Sequence, residues 1–367
     1  MEYRTLPHDP ETKINPIGMG TSMAEDMTSE ELENLFNKAI DSGINYIDLA
    51  GGHGRLFGAL GKAMKGRREK VYVQGHFGAD YSKGDYAWTL NLGNVKKGVE
   101  WMLEQLQTDY IDFGMIHCLD ETKDLDTYIK NGVLDYLLDM KKKGVVRHIG
   151  LSSHTPELVE KALELGILDV VMFSINPLYD HEIGDFANGS YESRQVLYKK
   201  LKAAGVGITV MKPYAGGALL DEKKSPFGQA LTPAQCLQYA LDRDGVLCVL
   251  PGYHCEKDMR EALAVPDLDQ DEKDYNTIPN LNPRTEPSCV YCRHCHPCPA
   301  GLDIALINKY YDLAKLGDEM AADHYSHLDR KAEYCIHCGH CTSRCPFHVD
   351  QMARMDEIRE YFANRAE

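Results

Sequence analysis

Eight cysteines near the end of the chain have the spacing of iron-sulfur ligands. They form two runs, with Cys289, Cys292, Cys295 and Cys298 in the first and Cys335, Cys338, Cys341 and Cys345 in the second. The second run reads C-x2-C-x2-C-x3-C-P, a spacing in which three thiolates bind one 4Fe-4S cluster and the fourth binds a neighbouring cluster. The first run is one residue shorter before its last cysteine but keeps the Cys-Pro ending. Together the runs predict a pair of clusters.

The ligand sets follow because the fourth cysteine of each run binds the other run's cluster. One cluster takes Cys289, Cys292, Cys295 and Cys345, and the other takes Cys298, Cys335, Cys338 and Cys341. Two four-cysteine zinc sites are the alternative, but such sites usually separate their cysteine pairs by a longer loop. Disulfides would need an oxidising compartment, and the first residues show no apolar signal-peptide core. We therefore favour iron-sulfur clusters.

Charge and length exclude several classes of protein. The chain has 367 residues and a formal net charge of -16, which argues against a nucleic-acid or membrane-surface binder, since both need a positive face. No apolar segment approaches the roughly 20 residues that span a bilayer. We expect a cytoplasmic protein in a reducing, anaerobic setting, because clusters and their thiolates are lost to oxidation. The sequence leaves an oligomer open.

The elements before the cysteine runs alternate between strand and helix. Eight short apolar segments are predicted strands: residues 17–22, 46–50, 71–75, 111–117, 149–152, 170–175, 208–211 and 246–250. Segments with helical spacing lie between them, with capping signals at Thr28, Thr155 and Thr232. Eight such repeats over about 250 residues predict an α/β fold, a closed (β/α)8 TIM barrel, rather than an open doubly wound sheet.

The pattern changes after the eighth strand, where an acidic charge run begins at Asp267. We predict a barrel domain at residues 1–268, a linker at 269–284 and a mainly α, ferredoxin-like domain at 285–367.

A parallel barrel places the residues after each strand on one rim, where active sites are built. The polar rim residues are Asp48, His53, His76, His117, Cys118, Ser152, Ser153, His154, Asn176, Lys212 and Tyr214. A single histidine is more often structural than catalytic, and we interpret His148 and His154 in that way. The remaining polar groups predict an active site.

At these rim positions the sequence resembles the aldo/keto reductase superfamily, specifically members with a C-terminal ferredoxin-type extension. The similarity covers essentially the whole chain, through residues 43–50, 110–117, 148–154, 211–217 and 251–252, Asn176 and the cysteine runs. The resemblance implies a barrel that reduces carbonyl groups with a nicotinamide cofactor, NADP(H). In that family Asp, Tyr, Lys and His form the catalytic tetrad, and Tyr donates the proton.

Two members of that tetrad are replaced in this chain. Asp48 and His117 match the family's Asp and His, but His53 stands at the Tyr position and His76 at the Lys position. The family's Lys lowers the phenol pKa from about 10, whereas an imidazole already titrates near 6.5. The resemblance therefore implies Asp48, His53, His76 and His117 as catalytic residues that transfer protons. It also implies cofactor contacts from Ser152, Asn176, Lys212, Gly216, Gly217 and Gly252.

A second hypothesis takes His53, His76 and His117 as ligands of a divalent metal. Three neutral imidazoles with an open fourth position form a typical catalytic set for zinc or iron. Such an ion would make the protein a lyase or hydrolase on a reductase scaffold.

The sequence thus predicts an oxidoreductase that acts on a small oxygenated metabolite and exchanges electrons through two 4Fe-4S clusters. A redox partner such as ferredoxin or flavodoxin would supply or remove the electrons. The alternatives are an NADPH-dependent carbonyl reductase with His53 as proton donor and structural clusters, the metal enzyme above, and an electron-carrying subunit without a substrate.

Overall fold

The structure is a computed structural model that describes residues 3–24, 27–50, 53–81, 83–181, 187–278, 289, 291, 293, 295–315, 318–345 and 349–365. The strands in this part of the chain are β1 (Arg4–Leu6), β2 (Asp9–Ile14), β3 (Met19–Gly20), β4 (Tyr46–Asp48), β5 (Tyr72–Phe77), β6 (Ala79–Asp80), β7 (Ala87–Trp88), β8 (Ile111–Ile116), β9 (Val146–Ser153), β10 (Val170–Ser174), β11 (Gly207–Met211) and β12 (Val246–Val249).

Eight parallel strands of the described residues form a ring. Their order is β3, β4, β5, β8, β9, β10, β11 and β12. Parallel bridges from Ile17 to Val249 and from Gly20 to Gly252 connect the last strand to the first. The Gly18 N–H donates to the Val249 carbonyl at 2.9 Å across this seam. The predicted (β/α)8 barrel is therefore confirmed, with strand ends that shift by a few residues from those predicted.

The hairpin of β1 and β2 covers the amino-terminal end of the barrel. Arg4 donates to the carbonyl of Val246, the first residue of β12, and Leu6 and Ile14 pack into the barrel core. That core also contains Tyr46, Phe113, Met115, Val170, Met172, Met211, Leu247, Cys248 and Leu250. One end of the barrel is thus closed by apolar packing, which leaves the carboxyl ends of the strands for a site.

The helices in the described residues are α1 (Ser29–Asp41), α2 (Arg55–Ala63), α3 (Leu92–Leu106), α4 (Thr122–Lys130), α5 (Val133–Lys142), α6 (Pro156–Leu163), α7 (Pro177–Asp180), α8 (Tyr191–Ala203), α9 (Pro233–Leu241), α10 (Glu256–Ala264), α11 (Gln270–Lys273), α12 (Ile304–Lys315), α13 (Glu319–Ser326), α14 (His340–Ser343) and α15 (Gln351–Ala363). Thr28 and Thr232 form capping boxes at the starts of α1 and α9, as their spacing predicts. None of these helices is long and apolar enough to cross a membrane.

Chain contacts divide the protein into two units. The first contains Met1–Asn176, Glu192–Gly217 and Thr232–Thr277, and the second contains Pro177–Tyr191, Ala218–Leu231 and Ile278–Glu367. The predicted boundaries at residues 268 and 285 stay a prediction, and residues 279–284 of the predicted linker lie outside the described residues.

The C-terminal part of the second unit is mainly helical, as predicted. Helices α12, α13 and α15 bury Ile307, Tyr311, Tyr325, Met355 and Ile358 in one cluster. Cys295 and Cys341 are buried in the same cluster. The helices therefore pack around the cysteine segments rather than beside them.

The seam of the barrel generates a prediction about stability. A Cβ at Gly20 would lie 2.7 Å from the Leu250 carbonyl oxygen, which is backbone and cannot move aside cheaply. We expect Gly20→Ala to lower the free energy of unfolding by about 1–3 kcal/mol, measured by urea titration with fluorescence. The matched control is Gly58→Ala within α2, where the nearest atom would be 3.6 Å away. That change should be neutral or stabilising, and equal losses in the two variants would contradict the closed seam.

Candidate functional site

Adjacent strands bring three of the predicted catalytic side chains to the carboxyl end of the barrel. Asp48 ends β4, His76 lies near the end of β5, and His117 directly follows β8. Strand β5 pairs in parallel with both β4 and β8. Asp48 and His76 are each 2% exposed and His117 is 6% exposed. A carboxylate and two imidazoles are therefore buried together, and their catalytic role stays a prediction.

Hydrogen bonds connect these residues in a line to a fourth residue, Tyr86. His76 Nε2 lies 2.7 Å from Asp48 Oδ1, and His76 Nδ1 lies 2.9 Å from His117 Nδ1. His117 Nε2 lies 2.8 Å from the Tyr86 hydroxyl. Tyr86 is 42% exposed, so the line runs from a buried carboxylate to a tyrosine that is partly exposed to solvent. We call Asp48, His76, His117 and Tyr86 the relay.

The protonation of the two imidazoles decides which partner donates in each hydrogen bond of the relay. Burial lowers the pKa of His117 well below its usual value, and the neighbouring His76 and His154 lower it further. With both imidazoles neutral, His76 Nε2–H donates to Asp48, His117 Nδ1–H donates to His76, and the Tyr86 hydroxyl donates to His117. Burial, followed by the nearby Cys118, raises the pKa of Tyr86 to about 12.

Gln74 is a further part of this network that the sequence analysis missed. Its Nε2 donates to Asp48 Oδ1 at 2.7 Å, while its Oε1 accepts from the Tyr46 hydroxyl at 2.7 Å and from Thr209 at 3.3 Å. Gln74 precedes His76 by two residues, so both side chains leave β5 on the same face. That period-two spacing is the signal that could have identified it.

Tyr86 was also missed, and the sequence carries no comparable signal for it. The residue precedes β7, which pairs with β6 in a short antiparallel hairpin after β5. The position of Tyr86 depends on how this hairpin folds back, which strand periodicity does not encode. The Trp88 indole of the same hairpin donates to the His117 carbonyl at 3.4 Å.

His53 is not part of the relay. Its Nδ1 lies 2.7 Å from Asp85 Oδ1, and the two side chains are 41% and 79% exposed. Within the described ranges, no hydrogen bond joins His53 to Asp48, His76 or His117. The interpretation of His53 as the replacement for the family's Tyr stays a prediction.

The set of His53, His76 and His117 predicted for a metal is not assembled. Among the described residues, the group of three whose ligand atoms lie within 4.8 Å of one another is Cys118, Asp120 and His154. Cys118 and Asp120 follow β8, and His154 follows β9. The sequence analysis placed Cys118 at the rim, assigned His154 to structure and did not identify Asp120.

Charged neighbours affect the groups around Cys118. Burial and the charge of Asp120 raise the pKa of the Cys118 thiol to about 11, and Lys212 opposes them. Burial would raise the pKa of Asp120, but hydrogen bonds from His154 and Ser153 outweigh it, so the pKa of this carboxyl is lowered. Burial lowers the pKa of His154 against the opposing effect of Asp120.

The residues predicted to contact a nicotinamide cofactor lie at the same end of the barrel. Ser152 is buried in β9, and Asn176 Nδ2 donates to the Lys212 carbonyl at 2.8 Å. Gly216 and Gly217 have φ values of 68° and 92°, and a Cβ at either would meet no atom within 4 Å. The Gly217 N–H donates to the Tyr214 carbonyl at 2.9 Å, which holds this turn. Gly252 is held in the barrel seam opposite Gly20.

The cysteine positions fit one of the two predicted clusters directly. Cys298, Cys335, Cys338 and Cys341 line one pocket with Leu302, Ile304, Met352 and Met355. All four cysteines bind metal through their sulfur atoms, as the ligands of a 4Fe-4S cluster do. Among the described cysteines none forms a disulfide.

The second predicted ligand set is partly described. Cys289, Cys295 and Cys345 belong to the described residues, while Cys292 lies outside them. Tyr291, Arg293 and His337 in the cysteine loops have φ values of 56°, 61° and 51°. Left-handed residues turn the backbone sharply. Backbone N–H groups at such turns can form a concave site for anions, which suits thiolate ligands.

Comparison with known proteins identifies both parts of the chain. The aldo/keto reductase family matches residues 16–232, and the 4Fe-4S dicluster domain matches residues 288–350. The uncharacterised oxidoreductase YqkF of Bacillus subtilis is 26% identical over 273 residues, which cover 68% of this chain and 86% of YqkF. The chloroplastic pyridoxal reductase of Arabidopsis thaliana is 29% identical over 168 residues, or 40% of this chain and 44% of that protein.

Solved structures show the same fold. The aldo-keto reductase AKR11C1 from Bacillus halodurans superposes with a TM-score of 0.61 at 21% identity, covering 78% of this chain and 99% of the other.

The crossed assignment of the cysteines generates a second prediction. Because Cys298 shares a pocket with Cys335, the double variant Cys298→Ala/Cys335→Ala should lose a single cluster. Iron should then fall from about eight to about four atoms per chain, measured by elemental analysis after anaerobic purification. The control is Cys255→Ala, an exposed cysteine outside both runs. Loss of nearly all iron would show instead that each run binds its own cluster.

Proposed function

Because the chain belongs to the aldo/keto reductase family and carries a C-terminal 4Fe-4S dicluster domain, we propose that it is an iron-sulfur oxidoreductase that reduces a small oxygenated metabolite. The relay, Asp48, His76, His117 and Tyr86, delivers the proton to the substrate oxygen. The observation that carries this proposal is the unbroken line of hydrogen bonds from Asp48 to the hydroxyl of Tyr86, a residue that is partly exposed.

Tyr86 is the proposed proton donor because it is the relay residue that is partly exposed, whereas the other three are buried. In the neutral relay its hydroxyl donates to His117 and is turned away from a substrate. One additional proton on the imidazole pair would reverse the line. His76 Nδ1–H then donates to His117 Nδ1, and His117 Nε2–H donates to the Tyr86 oxygen. The Tyr86 hydrogen is then free to bond a substrate oxygen.

The same arrangement stabilises Tyr86 after it has lost its proton. The phenolate oxygen would accept the N–H of His117 Nε2, and the reserve proton of the imidazole pair could restore the hydroxyl. Asp48 accepts the His76 Nε2–H in both directions of the line, which orients the imidazole pair. This corresponds to the role of the family's Lys beside its Asp, with an imidazole pair in place of the ammonium group.

The electrons have two candidate sources. A carbonyl gains two electrons and two protons when it becomes an alcohol. With clusters as the source, Tyr86 would give the proton on oxygen and solvent water the proton on carbon, whereas a hydride would bring both electrons and the hydrogen to carbon. The two clusters, when bound by the eight cysteines, supply one-electron transfer, with reduced ferredoxin or flavodoxin as the proposed partner in an anaerobic cytoplasm. A dicluster domain has no evident task in a simple hydride transfer, which supports this source.

Nicotinamide is the second candidate source, and the barrel supports it. Reduced NADP would supply the hydride, and Ser152, Asn176, Lys212, Gly216, Gly217 and Gly252 are the residues that would bind it. The empty space beside Gly216 and Gly217, where a Cβ would meet no atom within 4 Å, favours nicotinamide as the source. In either case the proton that reaches the oxygen comes from Tyr86.

The names of the relatives suggest probe substrates. Pyridoxal reductase and the methylglyoxal reductase DkgB of Salmonella typhimurium are among the similar proteins, and the latter is 28% identical over 204 residues. Pyridoxal and methylglyoxal are therefore suitable small aldehydes for a first test.

Substitution of Tyr86 tests the relay. Tyr86→Phe should lower kcat for the probe aldehyde by about 100-fold or more because it removes the proton donor, while KM changes little. His53→Ala is the matched control, since this exposed residue lies outside the relay. Steady-state kinetics under anaerobic conditions would measure both. A His53→Ala variant that loses activity while Tyr86→Phe keeps it would assign the donor to His53 instead.

Cluster oxidation separates the two electron sources. We expect the anaerobically reduced protein to be reoxidised on addition of substrate, with the visible absorption of oxidised clusters returning at the rate of product formation. The Tyr86→Phe variant should show the same change more slowly. Clusters that stay reduced while NADPH is consumed would refute electron transfer through them and leave the nicotinamide route.

A further inference from the structure

The group of Cys118, Asp120 and His154 lies where neighbouring strands end. Strands β8 and β9 pair in parallel, with Ile116 opposite Leu151. The Leu119 N–H donates to the Ser152 carbonyl at 3.1 Å and joins the loop after β8 to the end of β9. The three side chains are thus held by backbone pairing at the functional end of the barrel.

The three ligand atoms form a mixed set of sulfur, oxygen and nitrogen. They lie within 4.8 Å of one another, and Asp120 Oδ2 is 2.9 Å from His154 Nδ1. Ligands of one tetrahedral zinc ion are each about 2.0–2.3 Å from the metal, so they lie roughly 3.3–3.8 Å apart. Zinc would replace the hydrogen bond between Asp120 and His154, so these two ligand atoms would move slightly apart while the Cys118 sulfur stays within reach of both. Three protein ligands with one open position is the arrangement of a catalytic zinc site.

Contacts around the group already orient two of its members. Asp120 Oδ1 accepts from the His154 backbone N–H at 2.6 Å and from Ser153 Oγ at 3.2 Å. His154 is 3% exposed, so its ring is fixed by packing as well as by Asp120. Cys118 adopts a left-handed backbone conformation with φ of 45°, which directs its side chain from a short loop.

We propose that Cys118, Asp120 and His154 bind one zinc ion whose fourth position accepts an anionic oxygen of the substrate. A thiolate and a carboxylate together neutralise the two positive charges of the ion. The positive charges of Lys212 and the buried Arg194 also act on His154 and lower its pKa. These cations disfavour a further positive charge but favour an anion at the open position, such as a carboxylate or an alkoxide.

The role of the open position rests on the proposed function, whereas zinc binding itself can be measured without catalytic turnover. The simplest alternative to a zinc site is that Asp120 only caps the turn after β9, through its bonds to Ser153 and His154. A cap would need no thiol, whereas a zinc site needs Cys118 as a ligand. The contribution of Cys118 therefore separates the two interpretations.

The test uses the full-length protein with both clusters assembled and zinc ions alone as the probe. We expect about one zinc ion per chain after removal of free metal, with iron content unchanged. X-ray absorption at the zinc edge should show one sulfur at about 2.3 Å together with nitrogen or oxygen at about 2.0–2.2 Å. Four sulfurs would place the zinc in the cysteine runs and overturn the proposal, as would the absence of bound zinc.

Variants provide the second measurement. Cys118→Ala and His154→Ala should each weaken zinc binding by more than the roughly 10–100-fold expected for loss of an outer partner. Cys255→Ala is the matched control, because this cysteine is exposed and lies outside the group. Circular dichroism and iron content would show that each variant is folded. Equal zinc affinity in the wild type and Cys118→Ala would leave Asp120 as a cap, and the spectrum of the wild type decides the question if the variants do not fold.

Discussion

The organisation of the barrel site depends on one buried carboxylate. An ionised carboxylate loses its hydration when it is buried, and it is tolerated only when hydrogen bonds and opposite charge replace the lost water. Asp48 is 2% exposed, and His76 and Gln74 both lie 2.7 Å from its Oδ1. Both partners come from β5, so the register that sets Asp48 opposite Gln74 is a condition for burial of the charge. The position of the imidazole line at the rim follows from the same register.

The imidazole beside this carboxylate can make a second hydrogen bond of its own. A lysine ends in a single charged group, whereas an imidazole has two nitrogen atoms and can pass a hydrogen bond onward. His76 uses one nitrogen for Asp48 and the other for His117, which extends the line to Tyr86. The Tyr86 hydroxyl comes to this line from the residue that precedes β7. Loops after different strands converge on one space at a barrel rim.

The C-terminal unit is organised by a different constraint, the grouping of thiolates from two separate segments. Cys298 and the run from Cys335 to Cys341 line the same pocket, although more than thirty residues separate them in sequence. The helices α12, α13 and α15 bury a cluster of apolar and aromatic side chains around these loops. Loops this short cannot be stabilised by a core of their own, so packing by the helices and ligand binding must act together.

The sequence by itself determined the barrel, the cysteine runs and the rim that carries Asp48, His76 and His117. These depend on local periodicity, on ligand spacing and on the rule that parallel strands end on one side, all of which can be read along the chain. Only the tertiary structure decided that His53 lies with Asp85, that Tyr86 completes the relay and that Cys118, Asp120 and His154 meet. These arrangements depend on how a hairpin and two loops fold back over the strand ends. Such contacts join residues far apart in sequence, and no periodic pattern encodes them.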